Sequence, residues 1–272
     1  RDYYASRGLG DVYKRQGHIQ DKDGKKMSKH IGNTVDPWSV LNTQGADAVR
    51  WFFYNNAAPW MPNRFHAKAI DETTRKYMGT LWNTYAFFIL YAEIDQFNPK
   101  EHPLDKAELT LMDRWILSRL NSLVREVDDD LNEYKIFEAS RAMTDFVDDL
   151  SNWYVRRSRE RFWGKGMAGD KEAAFATLYH VLETMSRLTA PFTPFMAENM
   201  YRNLVCSVDK DAPISVHMTD FPVCDETYIN AELEGHMRDL LEVVVLGRSC
   251  RSESGLKVRQ PLSRMIVSGA TL

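Results

Sequence analysis

Apolar residues recur at intervals of three, four and seven along most of this chain, a spacing that predicts helices rather than strands. From Ala67 to about Ile94, the positions Ile70, Tyr77, Leu81, Tyr85, Phe88 and Tyr91 share one face, with Gly79 as a local weak point. Loops at Phe97-Asn98-Pro99 and His102-Pro103 follow. Thr110 with Asp113 then makes an acidic variant of the capping box, opening a helix through Trp115, Ile116, Leu120, Leu123 and Val127. A third helix is predicted from about Lys135 to Trp163, with Phe137, Met143, Phe146, Leu150 and Trp153 facing inward. Gly164, Gly166 and Gly169 form a loop, and Asp170 is placed to cap a fourth helix carrying Leu178, Val181, Leu182, Met185 and Leu188. Pro191 and Pro194 end that helix and start a fifth through Met196, Met200 and Leu204. Long amphipathic helices joined by short loops predict a helix bundle, so the expected fold class is mainly α.

The flanks are less regular. Asp36 and Pro37 predict the cap and first turn of a short helix to about Asn42, stopped by Gly45. Asp47 is placed to begin another, Ala48 to about Asn55, with Val49, Trp51, Phe52 and Phe53 as apolar surface, before a linker at Pro59 and Pro62. Ile214 to Phe221 reads as extended and about Asn230 to Gly247 as helical. Lys257 to Val267 reads as one or two short strands, the start of a truncated α/β C-terminal part. Arg1 to Gln16 has little apolar periodicity and is either an artefact of cloning or assembly or an ordinary irregular terminus. The expected divisions are 1–16, 17–65, 66–222 and 223–272.

Composition narrows the function classes. The 272 residues are 44% hydrophobic and 27% charged, which suits a soluble globular protein of about two domains. The formal charge of −3 gives no overall basic field, so contact with nucleic acid must come from a local patch. Cys206, Cys224 and Cys250 lie far apart with no zinc spacing, which fits a reducing, cytoplasmic compartment. No apolar run is long enough to span a bilayer, and no secretory signal opens the chain. The histidines His66, His102, His180, His217 and His236 have no carboxylate or cysteine at a telling spacing and are expected on the surface or satisfied in the core. No metal site is expected. The chain does not begin with Met and is expected to be a fragment.

One stretch carries candidate chemistry. Asp21 to Asn33 opens with an Asp/Gly turn, sets Lys26 and Lys29 on either side of Met27-Ser28, and closes on Gly32-Asn33. A bare Lys-x-x-Lys is ordinarily a solvated basic turn. Here the lysines sit on a glycine-bracketed loop feeding a helix, able to bring ammonium charge to phosphate oxygens. Lys26-Met27-Ser28-Lys29-His30 resembles the KMSKS signature of class I aminoacyl-tRNA synthetases. The continuation through Gly32-Asn33, Asp36-Pro37 and Gly45-Ala46-Asp47-Ala48-Val49-Arg50 resembles the same family. His30 stands where the signature usually ends in Ser.

That resemblance implies carboxylate activation, in which an amino-acid carboxylate attacks the α-phosphorus of ATP and pyrophosphate leaves. Lys29 and then Lys26 are the expected catalytic cations, with Ser28 and Lys29 contacting ATP and Mg²⁺ arriving with the nucleotide. It also implies a stem-contact region across residues 17–65. The partner motif of the family, His-x-Gly-His, does not occur, and Gly17-His18 does not replace it. The nucleotide-binding sheet and the amino-acid pocket are therefore expected upstream, and this piece alone is expected to be inactive.

A second constellation runs from Asn152 to Trp163. Arg156, Arg157, Arg159 and Arg161 are flanked by Trp153 and Tyr154 on one side and Phe162 and Trp163 on the other. Guanidinium forks and aromatic planes suit phosphates and unstacked bases. The competing reading is strong, because aromatics at helical spacing are ordinarily core and acids such as Asp145, Asp148 and Asp149 stand near to pair with the arginines. Leu150 to Arg159 resembles the anticodon-binding helix of isoleucyl-tRNA synthetases. Ala190-Pro191-Phe192-Thr193-Pro194-Phe195 with Glu198, Ser215-Val216-His217 with Asp220-Phe221-Pro222, and Lys257 to Leu262 fit that family as well. The resemblance implies an anticodon-binding bundle with Arg156, Arg157 and Arg159 as tRNA-binding residues and Trp153 and Trp163 packing. It implies tRNA(Ile), ATP and isoleucine as partners of the whole enzyme, and a monomer. Valyl- or leucyl-tRNA synthetase, or a non-catalytic tRNA-binding module, are the rival readings.

Overall fold

The computed structural model describes residues 18–164, 166–167 and 169–268. The atypical segment 1–16 lies outside them. The chain is mainly helical: α1 (Pro37–Gln44), α2 (Ala46–Asn55), α3 (Ala67–Thr74), α4 (Thr80–Asp95), α5 (Leu111–Asn132), α6 (Ile136–Asp148), α7 (Arg156–Trp163), α8 (Asp170–Thr189), α9 (Pro194–Tyr201) and α10 (Ala231–Glu253). Strands β1 (Ile19–Gln20) and β2 (Asn63–Arg64) pair in parallel, Ile19 opposite Asn63 and Gln20 opposite Arg64.

Sequence periodicity explains the bundle. α5 starts at a reciprocal capping box, with Thr110 accepting from the Asp113 amide and Asp113 accepting from the Thr110 amide. Its Trp115, Ile116, Leu120, Leu123, Val124 and Val127 are all buried. They meet Met143, Phe146 and Val147 of α6 and Leu178, Val181, Leu182 and Met185 of α8 in one core. Each such side chain, fully buried, is worth about 1.5–3 kcal/mol before entropy is counted. The two longest predicted helices are continuous, but each holds a π turn: Arg75–Gly79 between α3 and α4, and Asp149–Val155 between α6 and α7. The first ends at Gly79, the expected weak point.

The N-terminal part is anchored to this bundle through specific contacts. Trp51 of α2 stacks on Tyr77, ring centroids 3.7 Å apart, and Tyr77 donates to Thr189 at 2.9 Å. Arg50 donates to the carbonyls of Phe192 and Pro191. Asp47 sits in the first turn of α2, and Gly45 precedes that helix. Its carboxylate accepts from the amides of Phe195 and Met196, so it caps α9, a helix remote in sequence. Burial raises the Asp47 pKa despite those two amides and the nearby Arg50. A smaller core of Val40, Ala48, Phe52, Phe65 and Ile70 takes in Met27 and Val35 from either side of the lysine loop.

Three expectations are corrected. Asp170 does not cap α8; Gly169 holds that position, and Asp170 pairs with Arg161 Nε at 2.7 Å. Ile214 to Phe221 is not one extended run, because Ser215 accepts from the His217 amide and closes a 3₁₀ turn at Val216–Met218. Lys257 to Val267 forms no strand; Val258, Met265 and Ile266 are exposed, and no described strand edge lies beside them to pair with. Arg251 instead donates to the carbonyls of Lys257 and Gln260, folding this stretch back on the end of α10.

Candidate functional site

The lysine loop is shaped by two side chains. The carboxylate of Asp21 accepts from the amides of Asp23 (3.0 Å) and Lys25 (2.8 Å) and from the side-chain amide of Asn33 (2.8 Å). Asn33 in turn accepts from the Ser28 amide at 2.8 Å and donates to the Lys26 carbonyl at 3.2 Å. The hydrogen bonds from Asn33 and Lys25 hold the Asp21 carboxyl below its ordinary pKa. Gly24 and Gly32 take positive φ, +80° and +72°, which lets the chain turn at each end. Ser28 Oγ accepts from the His30 amide, and the Ser28 carbonyl accepts from the amides of Ile31 and Gly32. Met27 and Val35 pack against the small core, while Lys26 and Lys29 are exposed. The loop thus presents two ammonium groups from a hydrogen-bonded turn with an apolar anchor, a local geometry suited to anionic oxygens.

The arginine helix is held by a buried network. Asp113 is fully buried and accepts from Tyr154 Oη at 2.6 Å, from Arg161 Nη1 at 2.8 Å and from Arg161 Nη2 at 2.7 Å. It also accepts from the Thr110 amide and hydroxyl. Burial pushes this carboxyl up, but Arg161, Tyr154 and Thr110 together outweigh it and hold its pKa below the ordinary value. Burial and the neighbouring Asp113 raise the Tyr154 pKa, so its hydroxyl stays a donor. Arg161 is therefore a structural cation, unlike the neighbouring arginines with which it shares the helix. Nothing local distinguishes it; only the fold brings Asp113 beneath it.

Arg156, Arg157 and Arg159 are exposed. Arg157 lies 5.8 Å from the Trp153 ring centroid and Arg159 5.8 Å from that of Phe87. Trp153 is half-buried against the core. Trp163, expected to pack, is 56% exposed and donates to Tyr91 Oη at 2.9 Å. The structure also brings in a residue that no sequence motif marks: Arg248 of α10, 5.8 Å from the same Trp153 ring. α10 is docked on α5 by Glu234, which accepts from Ser118 and Ser122 and faces Arg119 at 3.6 Å. Arg119 also reaches Asp149 of the π turn at 3.3 Å, tying helix and turn together. Among the described residues no three His, Cys, Asp or Glu side chains cluster as metal ligands. Among the described residues no helix is long and apolar enough to cross a membrane.

Residues 113–266 match the family described as the anticodon-binding domain of tRNA ligase, and residues 11–61 match class I tRNA synthetases of the I, L, M and V group. The chain belongs to the anticodon-binding family of the class I tRNA ligases. It is similar to the isoleucine–tRNA ligase of Clostridium novyi, 52% identical over 256 residues, 94% of this chain and 25% of that protein. The isoleucine–tRNA ligase of Dehalococcoides mccartyi is 51% identical over 251 residues, 92% of this chain and 25% of that protein. The chain thus spans about a quarter of the length of the curated relatives it matches. Among solved structures it resembles an Agrobacterium radiobacter LeuRS–tRNA–LeuAMS complex, with a TM-score of 0.59 and 21% identity over 80% of this chain and 24% of that one. It also resembles Mycobacterium tuberculosis methionyl-tRNA synthetase with methionyl-adenylate, with a TM-score of 0.55 and 19% identity over 76% of this chain and 43% of that one. These two likenesses bear on the fold.

Proposed function

We propose that this chain is the lysine-loop and anticodon-binding part of an isoleucine–tRNA ligase. The whole enzyme activates isoleucine with ATP and transfers it to tRNA(Ile) in the cytoplasm, as a monomer. The observation that carries this reading is one unbroken similarity to isoleucine–tRNA ligases that covers both the lysine loop and the arginine helix. Valine and leucine as substrates, and a free-standing tRNA-binding module, are less well supported by that similarity.

In the proposed reaction a carboxylate oxygen of isoleucine attacks the α-phosphorus of ATP. The bond from that phosphorus to the bridging oxygen breaks, and pyrophosphate leaves with the electron pair. Negative charge grows on the phosphate oxygens, and fixed cations lower the barrier by meeting it. Lys29 takes that role first and Lys26 second, with Ser28 orienting the loop or a phosphate. The two exposed ammonium groups fit the polyphosphate of ATP, and Mg²⁺ neutralises phosphate charge when bound with the nucleotide. In the enzyme with its upstream region, Lys29→Ala is expected to lower ATP–pyrophosphate exchange by at least about 10²-fold, the scale of one lost electrostatic donor. Unchanged exchange refutes the role.

Arg156, Arg157 and Arg159 are the proposed tRNA contacts. Charge reversal at Arg157 is expected to weaken tRNA(Ile) binding by about tenfold or more while the melting curve stays unchanged, because the side chain is exposed. Filter binding by the 272-residue chain checks this, and equal affinity counts against the assignment.

A further inference from the structure

We propose that the groove between the π turn and α10 seats one unpaired RNA nucleotide, its base on Trp153 and its phosphate on Arg248. The inference deepens the tRNA-binding reading and rests on it. Its new content is the nucleotide seat and the recruitment of α10 to the RNA surface.

The groove has a volume of about 550 Å³ and is lined by Asp148, Asn152, Trp153, Arg156 and Arg157 from the α6–α7 segment and by Val245 and Arg248 from α10. That volume is within the range of clefts that enclose small ligands, about 300–1,000 Å³. Guanidinium groups from two separate helical segments approach one indole ring, each at 5.8 Å from its centroid. Among the described residues neither Arg157 nor Arg248 makes an ion pair. Two like charges drawn to one ring are favoured by the aromatic face and disfavoured by each other, and an anion between them removes the conflict.

One lining carboxylate bears on orientation. Asp148 accepts from the Asn152 side-chain amide at 2.5 Å. A phosphate placed beside it would be repelled, so the phosphate is assigned to Arg248 of α10, the helix that does not carry Asp148, and the base to the Trp153 ring. Val245 adds an apolar wall on the α10 side; it is 58% exposed in the free protein, as a surface awaiting a flat ring would be. Stacking on an aromatic plane with a guanidinium at the phosphate is the general solution for an unstacked base. Glu234, Arg119 and Asp149 tie the start of α10 to α5 and the π turn.

The test uses the 272-residue chain and a fluorescent anticodon stem-loop of tRNA(Ile), with a second series in which each loop nucleotide in turn is made abasic. For the unaltered protein, one abasic position is expected to weaken binding about tenfold, the scale of a single base–aromatic stack, while the others change little. Arg248→Gln is expected to bind the intact loop more weakly, to reduce the salt slope by about 1, and to lose most of its sensitivity to that position. Trp153→Leu is expected to share the insensitivity. Because Trp153 is half-buried and its replacement can disturb folding, the exposed Arg248 carries the decision, with matching melting curves as the condition. Equal binding by Arg248→Gln and the unaltered chain overturns the seat and leaves tRNA binding intact. A loss spread evenly over every abasic position overturns it too. If the unaltered chain binds neither the stem-loop nor tRNA(Ile), the tRNA-binding reading itself fails and the seat falls with it.

Discussion

The lysine loop and the arginine helix both turn cations toward solvent, yet they hold them by different physics. The loop is organised by hydrogen bonds between residues at most twelve apart, from Asp21 to Asn33, with Met27 and Val35 as its apolar tether. The helix is organised by Asp113 and Arg161, which are 48 residues apart and meet in the core. A local network of exposed polar groups opens at small cost. A buried ion pair opens only with its surroundings. The difference suits the two tasks proposed above: closing a loop on a nucleotide and releasing it, and keeping a helix face at a fixed spacing for RNA.

The contrast is broken most severely at Arg161. Arg161→Ala leaves the fully buried carboxylate of Asp113 with its hydroxyl and amide donors but no countercharge. The expected loss is about 3–5 kcal/mol, read by urea or thermal denaturation of the 272-residue chain. Converting both partners at once, Asp113→Leu with Arg161→Met, is expected to cost less than the single change, because no charge is then stranded. A loss below about 1 kcal/mol for Arg161→Ala would mean that the helix is held by its apolar face alone.

How much of each region could be read from the sequence follows from the same division. The loop was legible because its parts are contiguous: an Asp/Gly turn, Met between lysines, and a Gly-Asn close. The role of Asn33 as the acceptor for the Ser28 amide is not legible in the sequence, because an Asn after Gly suits a turn whatever its side chain bonds. The helix from Lys135 to Trp163 was legible as an apolar stripe, and Thr110 with Asp113 as a cap. The second duty of Asp113 was not, since one carboxylate serves the cap with one oxygen and shares Arg161 across both. Asp47 differs for a related reason: its helix begins two residues earlier, at Ala46 after Gly45, and its side chain caps α9 instead. Arg248 gave no signal because an arginine in a long amphipathic helix is ordinary until another element is laid beside it. The strands expected at Lys257 to Val267 rested on β-branched content, and such residues need a paired edge before they become a strand.

Acid sharpens the comparison with a smaller effect. Asp21 and Asp113 both have pKa values lowered from the ordinary value of 3.8, the first by Asn33 and the Lys25 amide, the second by Arg161, Tyr154 and Thr110 against the push of burial. A lowered carboxyl contributes its stability in full above its unfolded pKa and loses it as pH falls below that value through the folded one. The stability gap between the unaltered chain and Asp113→Asn is therefore expected to be constant at neutral pH and to shrink below about pH 4. Asp21→Asn is expected to show a gap of the same sign that also shrinks in acid, but a smaller one, because the group is solvent-screened, with the amide resonances of residues 23–33 responding most. A pH-independent gap at Asp113 would show that its charge is not what the network holds.

The gentlest break is Asn33→Ala. It removes the acceptor for the Ser28 amide and the donor to Asp21 and to the Lys26 carbonyl, but leaves Met27 and Val35 on the small core. The Ser28 amide hydrogen bond is partly buried, so its loss is worth about 1 kcal/mol of local opening, or roughly fivefold faster hydrogen exchange at that amide. The bundle shares none of these bonds, so its melting temperature and the exchange of amides in α5 and α8 are expected to stay as they were. If exchange accelerates in the bundle as well, the loop is not an independent unit. If Ser28 is unaffected, its order comes from the turn closed by the Ile31 and Gly32 amides on its own carbonyl, and Asn33 is merely a neighbour.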